Sequence, residues 1–330
     1  MMLFDPLRLR GCELPNRIVM SPMSQHRAGA DGVANDWHLV HYGARAVGGC
    51  GLILLEDTAV EPAGRTSRAA LGLYEQAQLA PLRRIVDFCH AQGARVGVQL
   101  AHAGRKAFRD TRGAEGMLSA SALAFAEGWP MPVAADAAAT ARIAAAFARG
   151  AQLALGAGFD VVEIHGAHGY LLQQFSSPLT NLREDDYGGS LGARARLLLE
   201  TVQAVREAWP QERPLMVRLP GGDGAPGGST VAEMAKVAGW CAERGADLID
   251  IAGGTPIFGG ARVSEEQMMA FARTLRTGKE EIPFALGGVT DGRAAEELLR
   301  ASGATLVSVG RALLANPNWA RVAASELGVT

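Results

Sequence analysis

Two imidazoles and a phenol crowd into six residues of this chain, His165-Gly166-Ala167-His168-Gly169-Tyr170. They follow the apolar run Asp160-Val161-Val162-Glu163-Ile164, whose length and β-branched content favour a strand. Imidazoles donate or accept hydrogen bonds and bind metals. A phenol with an unperturbed pKa of about 10 keeps its proton until a neighbouring group develops negative charge. In a parallel barrel the C-terminal strand ends are where active sites are built, so the three side chains are candidates to converge on one small ligand. Two histidines leave a metal site short of ligands; Asp57 and Glu163 are available, but no acidic residue or Cys stands at a compelling spacing. Satisfied core histidines and a solvent-facing Tyr170 are the plainer alternative.

Positioning these groups requires a scaffold, and the chain carries one that alternates. Candidate strands are Arg17–Ser21, Gly51–Glu56, Arg95–Leu100, Asp160–His165, Leu215–Leu219, Asp247–Ile251, Pro283–Leu286 and Leu306–Val309. Most are short and apolar on nearly every residue, as strands buried on both faces are. Helical patterns lie between them: Asp36–Val47 with Asp36 as a cap, Gln78–Gln92, Ala134–Ala157, Arg194–Trp209, Thr230–Arg244, Glu265–Arg276, Arg293–Ala301 and Asn318–Leu327. Glycines at Gly93, Gly158, Gly245 and Gly303 suit the left-handed helix end. Eight β/α units in series predict one (β/α)8 TIM barrel, class α/β, forming a single domain over residues 1–330. The longest interruption, Ala101–Asp136 after the third strand, would form a lid or wall on the catalytic face.

The other strand ends supply further candidates. They are Ser21-Pro22-Met23-Ser24-Gln25-His26 after strand one, Glu56-Asp57-Thr58 after strand two, Gln99 on strand three, and Arg218 on strand five. Gly287-Gly288 and Gly310-Arg311 close strands seven and eight, where barrels often bind phosphate through backbone N–H groups. Tight turns are the bland reading of both. Gly222-Asp223-Gly224-Ala225-Pro226-Gly227 matches a dinucleotide fingerprint, but Gly228-Ser229 separates it from the next helix, so a loop after strand five is expected.

Composition narrows the function. With 48% hydrophobic and 20% charged residues, the chain is an ordinary globular one. A net charge of -2 gives no reason to expect nucleic acid or an anionic membrane as partner. No apolar run is long enough to span a bilayer, and the first residues lack a signal-peptide core. Cys12, Cys50, Cys89 and Cys241 are scattered, which suits a reduced, cytoplasmic setting with no structural zinc or iron–sulfur cluster.

Taken together, five stretches resemble the old yellow enzyme family of FMN-dependent ene reductases, closest to its shorter, thermophilic-like bacterial subgroup. They are Asn16-Arg17-Ile18-Val19-Met20-Ser21-Pro22-Met23, Gln99-Leu100-Ala101-His102-Ala103-Gly104-Arg105-Lys106, His165-Gly166-Ala167-His168-Gly169-Tyr170-Leu171, Asp186-Tyr187-Gly188-Gly189-Ser190 and Val309-Gly310-Arg311. The resemblance covers almost the whole chain. It implies a barrel holding FMN at the strand C-termini. Pro22, Met23 and Ser24 would line the flavin ring, with Asp57 nearby. Gln99 would read its pyrimidine edge, and Arg218 would lie near N1 and the C2 carbonyl, where a cation raises the potential. Gly288, Gly310 and Arg311 match the phosphate positions. His165 and His168 match the pair that holds the carbonyl oxygen of an α,β-unsaturated substrate, with Tyr170 as proton donor. NADPH or NADH and the enone would occupy the same space in turn, giving ping-pong kinetics without a nicotinamide domain.

The chain also departs from that pattern. Ser24 stands where the subgroup commonly has Cys, His26 where a substrate-pocket Tyr is common, and Asp57 where a small neutral residue is usual. The aromatic- and Arg-bearing tail by which relatives complete a neighbouring subunit is not found after the last helix. A homo-oligomer is still expected, without that exchange. Two other readings stay open: a flavin-binding barrel with altered or lost reductase activity, and a flavin-free barrel lyase or isomerase acting on a phosphorylated substrate.

Overall fold

The computed structural model describes residues 2–107, 116–253, 262–278 and 281–329. Eight parallel strands close into a barrel: β1 (Ile18–Met20), β2 (Leu52–Ala59), β3 (Arg95–Ala101), β4 (Val161–His165), β5 (Leu215–Pro220), β6 (Leu248–Ala252), β7 (Phe284–Gly287) and β8 (Leu306–Val309). Each pairs with its neighbours in sequence, and β8 closes on β1. All eight expected strands are present. Helices α1 (Asp36–Val47), α2 (Leu79–Ala91), α3 (Ala137–Ala157), α4 (Leu191–Ala208), α5 (Val231–Glu243), α6 (Glu265–Thr277), α7 (Gly292–Ser302) and α8 (Trp319–Glu326) follow the strands in order.

Local chemistry explains the helix limits. Asp36 is the first residue of α1 rather than its cap: the cap is Asn35, whose side chain accepts from the Trp37 N–H. Asp136, Ser190, Thr230, Ser264 and Asp291 cap α3 to α7 in the same way. Gly158 and Gly303 end α3 and α7 at φ 91° and 74°, as a left-handed terminus requires.

Alternation within the strands divides the molecule into three layers. Val96, Val98 and Leu100 of β3, with Val162 and Ile164 of β4, face outward and pack with Ile143, Ala146, Phe147 and Ala151 of α3. The inward residues at the strand beginnings are apolar. Val19, Leu52, Leu54, Val161, Met216, Leu248, Ala285 and Leu306 form a cluster closed from below by Leu9, Cys12 and Leu14. These last three lie on an antiparallel N-terminal hairpin, Leu7–Leu9 with Cys12–Leu14, which the strand pattern does not foresee. Two residues further along, the inward positions turn polar: Gln99, Glu163, Arg218, Asp250 and Ser308, all buried.

Two further departures bear on the site. Strand β2 runs on to Ala59, with an irregularity between Leu55 and Asp57, so Asp57 and Thr58 lie within the strand rather than after it. A short helix, Leu171–Ser176, follows the His165–Tyr170 turn directly. Part of the insertion after β3 falls outside the described residues. Its described part pairs Leu118–Ser119 with Val133–Ala134 and packs on the C-terminal face, where Arg183 donates to the carbonyls of Ala120 and Ala135.

Gly97 tests the lower layer. On β3 it sits between Leu54 and Val161, and a Cβ there would come within 2.5 Å of Leu54 Cδ2 and 3.0 Å of the Val161 carbonyl oxygen. Gly97→Ala is expected to lower the unfolding free energy in urea by about 1–3 kcal/mol, the usual cost of overpacking. Adding Leu54→Val should recover only part, because the Val161 contact is backbone. Full recovery would show that the barrel floor is looser than described.

Candidate active site

The His165–Tyr170 turn takes an unusual backbone path. His168 has φ 57° and Gly169 φ 69°, two left-handed residues in succession. A non-glycine residue there costs energy and persists only where its surroundings enforce it. Two buried glutamines on the short helix do so. The Gly169 N–H donates to Gln173 Oε1 at 2.7 Å, and Gln174 Nε2 donates to the Gly169 carbonyl at 2.7 Å. Gln173 is held in turn by Asp223 at 2.9 Å, and Asp223 also receives Ser177 Oγ and the Ser229 N–H. Lys106 Nζ donates to the His168 carbonyl at 2.8 Å. The loop carrying the false dinucleotide fingerprint thus anchors the turn through Asp223.

Its consequence is a fixed constellation. The His165 and His168 rings stand perpendicular with centroids 5.0 Å apart, and the Tyr170 ring lies 4.6 Å from His165. His165 Nδ1 accepts the Ala167 N–H at 3.3 Å, which places its proton on Nε2. Burial holds the pKa of both imidazoles well below the usual range. His168, Arg218 and Lys106 add to this for His165, and Arg218 and Lys106 for His168. Both rings are therefore neutral at neutral pH, the backbone hydrogen bond of His168 at Gly253 opposing the shift without reversing it. Burial first, and Asp57 second, push the Tyr170 phenol well above 10, so it keeps its proton. Burial lowers Lys106 to about 8, with Arg105 adding to the shift. The Lys106 ammonium lies 5.6 Å from the Tyr170 ring centroid and 4.7 Å from that of Phe125, which the insertion supplies.

Beneath this turn lies the polar layer. Arg218 pairs with His165 in strand register and approaches Asp250 Oδ2 at 3.3 Å. Gln99 Nε2 donates to Glu163 Oε1 at 2.7 Å. Among the described residues, Arg218 Nη1 has no hydrogen-bond partner and Nε meets only Asp250 in the ion pair, though the residue is only 9% exposed. A buried guanidinium with an idle donor beside a half-engaged amide fits a ligand edge rich in acceptors, such as the pyrimidine end of a flavin.

Strands β1 and β2 complete the mouth. Pro22 is buried and Met23 half-buried. The Ser24 hydroxyl donates to Asp57, whose second oxygen accepts from Thr66 at 3.2 Å. Burial raises the Asp57 pKa. His26 is exposed at φ 54°, with Nδ1 2.7 Å from Ser67 Oγ. Glu56 holds this loop, accepting the Gln25 N–H at 2.7 Å and the Tyr42 hydroxyl at 3.0 Å. Opposite, Gly288 adopts φ 106°, and a Cβ on Gly310 would sit 3.5 Å from Met23 Sδ. Gly310 therefore faces the end of β1, and Arg311 follows it exposed on a short helix, Arg311–Ala315. Pro22, Met23, Ser24, His26, Asp57, Gln99, His165, His168, Tyr170, Arg218, Gly288, Gly310 and Arg311 thus all belong to the C-terminal half or the following turn of their strands. Sequence reasoning passed over Gln173, Gln174 and Asp250. Their signal is polar side chains inside otherwise buried runs.

This chain matches the model of the NADH:flavin oxidoreductase / NADH oxidase family over residues 2–329. It belongs to that family. An NADPH dehydrogenase of Listeria monocytogenes serotype 4b (strain CLIP80459) is 43% identical over 335 residues, spanning 99% of this chain and 96% of the relative. Morphinone reductase superposes with a TM-score of 0.85 at 30% identity, covering 100% of this chain and 90% of that one, and its complex with tetrahydroNAD is also similar. An old yellow enzyme homologue from Zymomonas mobilis gives 0.85 at 26% identity, covering 100% and 94%. The chain is an NAD(P)H-dependent FMN oxidoreductase on a TIM barrel, of the old yellow enzyme kind.

A titration checks the electrostatics. The downward shifts put protonation of His165 and His168 below the usual imidazole range, so lowering the pH from 8 to 6 should leave both rings neutral. In ¹⁵N NMR, His165 should carry its proton on Nε2 throughout. An imidazolium signal assigned to either ring at pH 6 would contradict this.

Proposed function

We propose that this enzyme reduces the activated C=C bond of α,β-unsaturated carbonyl compounds, alternating NAD(P)H and enone in one mouth by a ping-pong cycle. The observation that carries the reading is the neutral, perpendicular His165–His168 pair with protonated Tyr170 beside it. Two N–H donors set at an angle suit the two lone pairs of a single carbonyl oxygen. Neutral imidazoles strengthen their hydrogen bonds as negative charge builds on that oxygen in the transition state, which is where binding accelerates the reaction. Tyr170, with its raised pKa, surrenders its proton only to a strongly basic centre such as the α-carbon of a developing enolate.

Bound FMN supplies the hydride chemistry linking the nicotinamide to the substrate. Gln99 and Arg218 are the residues to hold its pyrimidine end, Pro22, Met23, Ser24 and Asp57 its ring, and Gly288, Gly310 and Arg311 its phosphate. The idle Nη1 of Arg218 and the open, positive-φ Gly288 support that assignment. His26, exposed at the rim, would touch substrate. The partners are small molecules, and a homo-oligomer is the expected assembly.

Tyr170→Phe separates the two halves of the cycle. Rapid mixing without oxygen should show reduction of the FMN-loaded protein by NADPH unchanged. Its reoxidation by cyclohexenone should slow by about 10²–10⁴-fold, the range for loss of a general acid. Equal rates in both halves would remove Tyr170 from the chemistry.

A further inference from the structure

Below the proposed flavin site, the barrel buries two carboxylic acids on neighbouring inward positions, Glu163 on β4 and Asp250 on β6, with Arg218 of β5 between their strands. Each acid has one oxygen committed. Glu163 Oε1 accepts Gln99 Nε2 at 2.7 Å, and Asp250 Oδ1 accepts Ser308 Oγ at 3.0 Å. The other two oxygens, Glu163 Oε2 and Asp250 Oδ2, are both fully buried and accept no hydrogen bond among the described residues, Asp250 Oδ2 meeting only Arg218 Nε in the ion pair. The titrations of the two acids oppose each other: their contact favours the protonated form of Glu163 and the ionised form of Asp250. Two carboxylates cannot face each other bare in a dry interior, whereas one shared proton satisfies both.

We propose that Glu163 is a protonated positioning residue: it donates its O–H to the Asp250 carboxylate, which balances Arg218, and accepts from Gln99 on its carbonyl oxygen. The polarity of the whole row is then set. Gln99 can use Nε2 toward Glu163 only in one amide orientation, so its carbonyl oxygen and second N–H remain for a ligand, beside the idle Nη1 of Arg218. Acceptor, donor, donor is the complement of an imide N–H, its carbonyl oxygen and the adjacent ring nitrogen, the pattern along a flavin's pyrimidine edge. This deepens the proposed function and rests on its assignment of FMN to this site. Burial first and Asp250 second raise the Glu163 pKa to about 8, against the opposing pull of Arg218 and Gln99.

The test is FMN binding to the apoprotein, read as flavin fluorescence quenching from pH 6.5 to 9.5. Ionising Glu163 costs the Asp250 hydrogen bond and sets two anions against each other. FMN affinity is therefore expected to fall as pH rises through about 8, by roughly tenfold from pH 7 to 9 if the bound complex needs the proton. Glu163→Gln keeps a donor toward Asp250 and an acceptor toward Gln99 but has no proton to lose. It should bind FMN within about twofold of wild type at pH 7, a difference of roughly 0.4 kcal/mol, and lose the fall that wild type shows above pH 8. Lys106 and Glu56, each shifted to about 8, remain in that variant, so a fall they cause would persist. A wild-type affinity flat across the range, or a fall undiminished in a folded Glu163→Gln, overturns the proposal. Wild-type protein that binds no FMN at any pH overturns the flavin assignment instead.

Discussion

Burying Arg218 is the constraint to which the rest of this structure answers. An isolated guanidinium at that depth would cost several kcal/mol in lost hydration, so its counter-charge must be buried with it. Asp250 supplies that charge at 3.3 Å, and Ser308 then holds Asp250. The cost is confined to a single layer. One pleat below, every inward residue of the cluster is apolar and the N-terminal hairpin seals the end. A barrel apolar throughout would bury no charge but would have nothing to present at its mouth.

The same cation shapes the turn above it. Arg218 faces His165 across the β4–β5 register, and its field helps to keep both imidazoles neutral. A neutral imidazole donates a hydrogen bond without competing for the substrate's proton, which leaves that task to the phenol. Strain at His168 is held in place by Gln173, Gln174 and Lys106, so the donor angle is a property of the scaffold rather than of a ligand arriving. Electrostatics and geometry therefore meet in the same six residues.

Much of this was legible in the chain. Short apolar runs spaced by helical patterns predicted the eight strands in order, because strands covered on both faces need no polar side. The hairpin at Leu7–Leu14 escaped, since three-residue strands carry no periodicity. The cap of α1 was placed one residue late, at Asp36, because Asn and Asp are both good caps and only geometry chooses between them. At the site, His165, His168, Tyr170, Gln99 and Arg218 were readable from type and position at strand ends. Glu163 was visible only as an unmotivated acid, and Asp250 not at all as a partner, since each is a lone polar residue inside an apolar run. Reading the inward positions across strands exposes them: Gln99, Glu163, Arg218, Asp250 and Ser308 each follow an inward Gly97, Val161, Met216, Leu248 or Leu306 by two residues. Strand periodicity carried this, but it has to be compared between strands and not within one. The short helix that locks the turn was missed for a different reason: six residues are too few for a helical pattern to declare itself.

The central claim is that one mouth above the buried Arg218 layer serves both the nicotinamide and an activated alkene. Its most direct test is optical. FMN-loaded protein, mixed with NADPH in the absence of oxygen, is predicted to lose its yellow absorbance, and a stoichiometric addition of cyclohexenone is predicted to restore it with cyclohexanone as product. Protein that binds FMN yet stays yellow with NADPH, or that bleaches and is not reoxidised by any of a panel of enones, maleimides and nitroalkenes, would contradict the account.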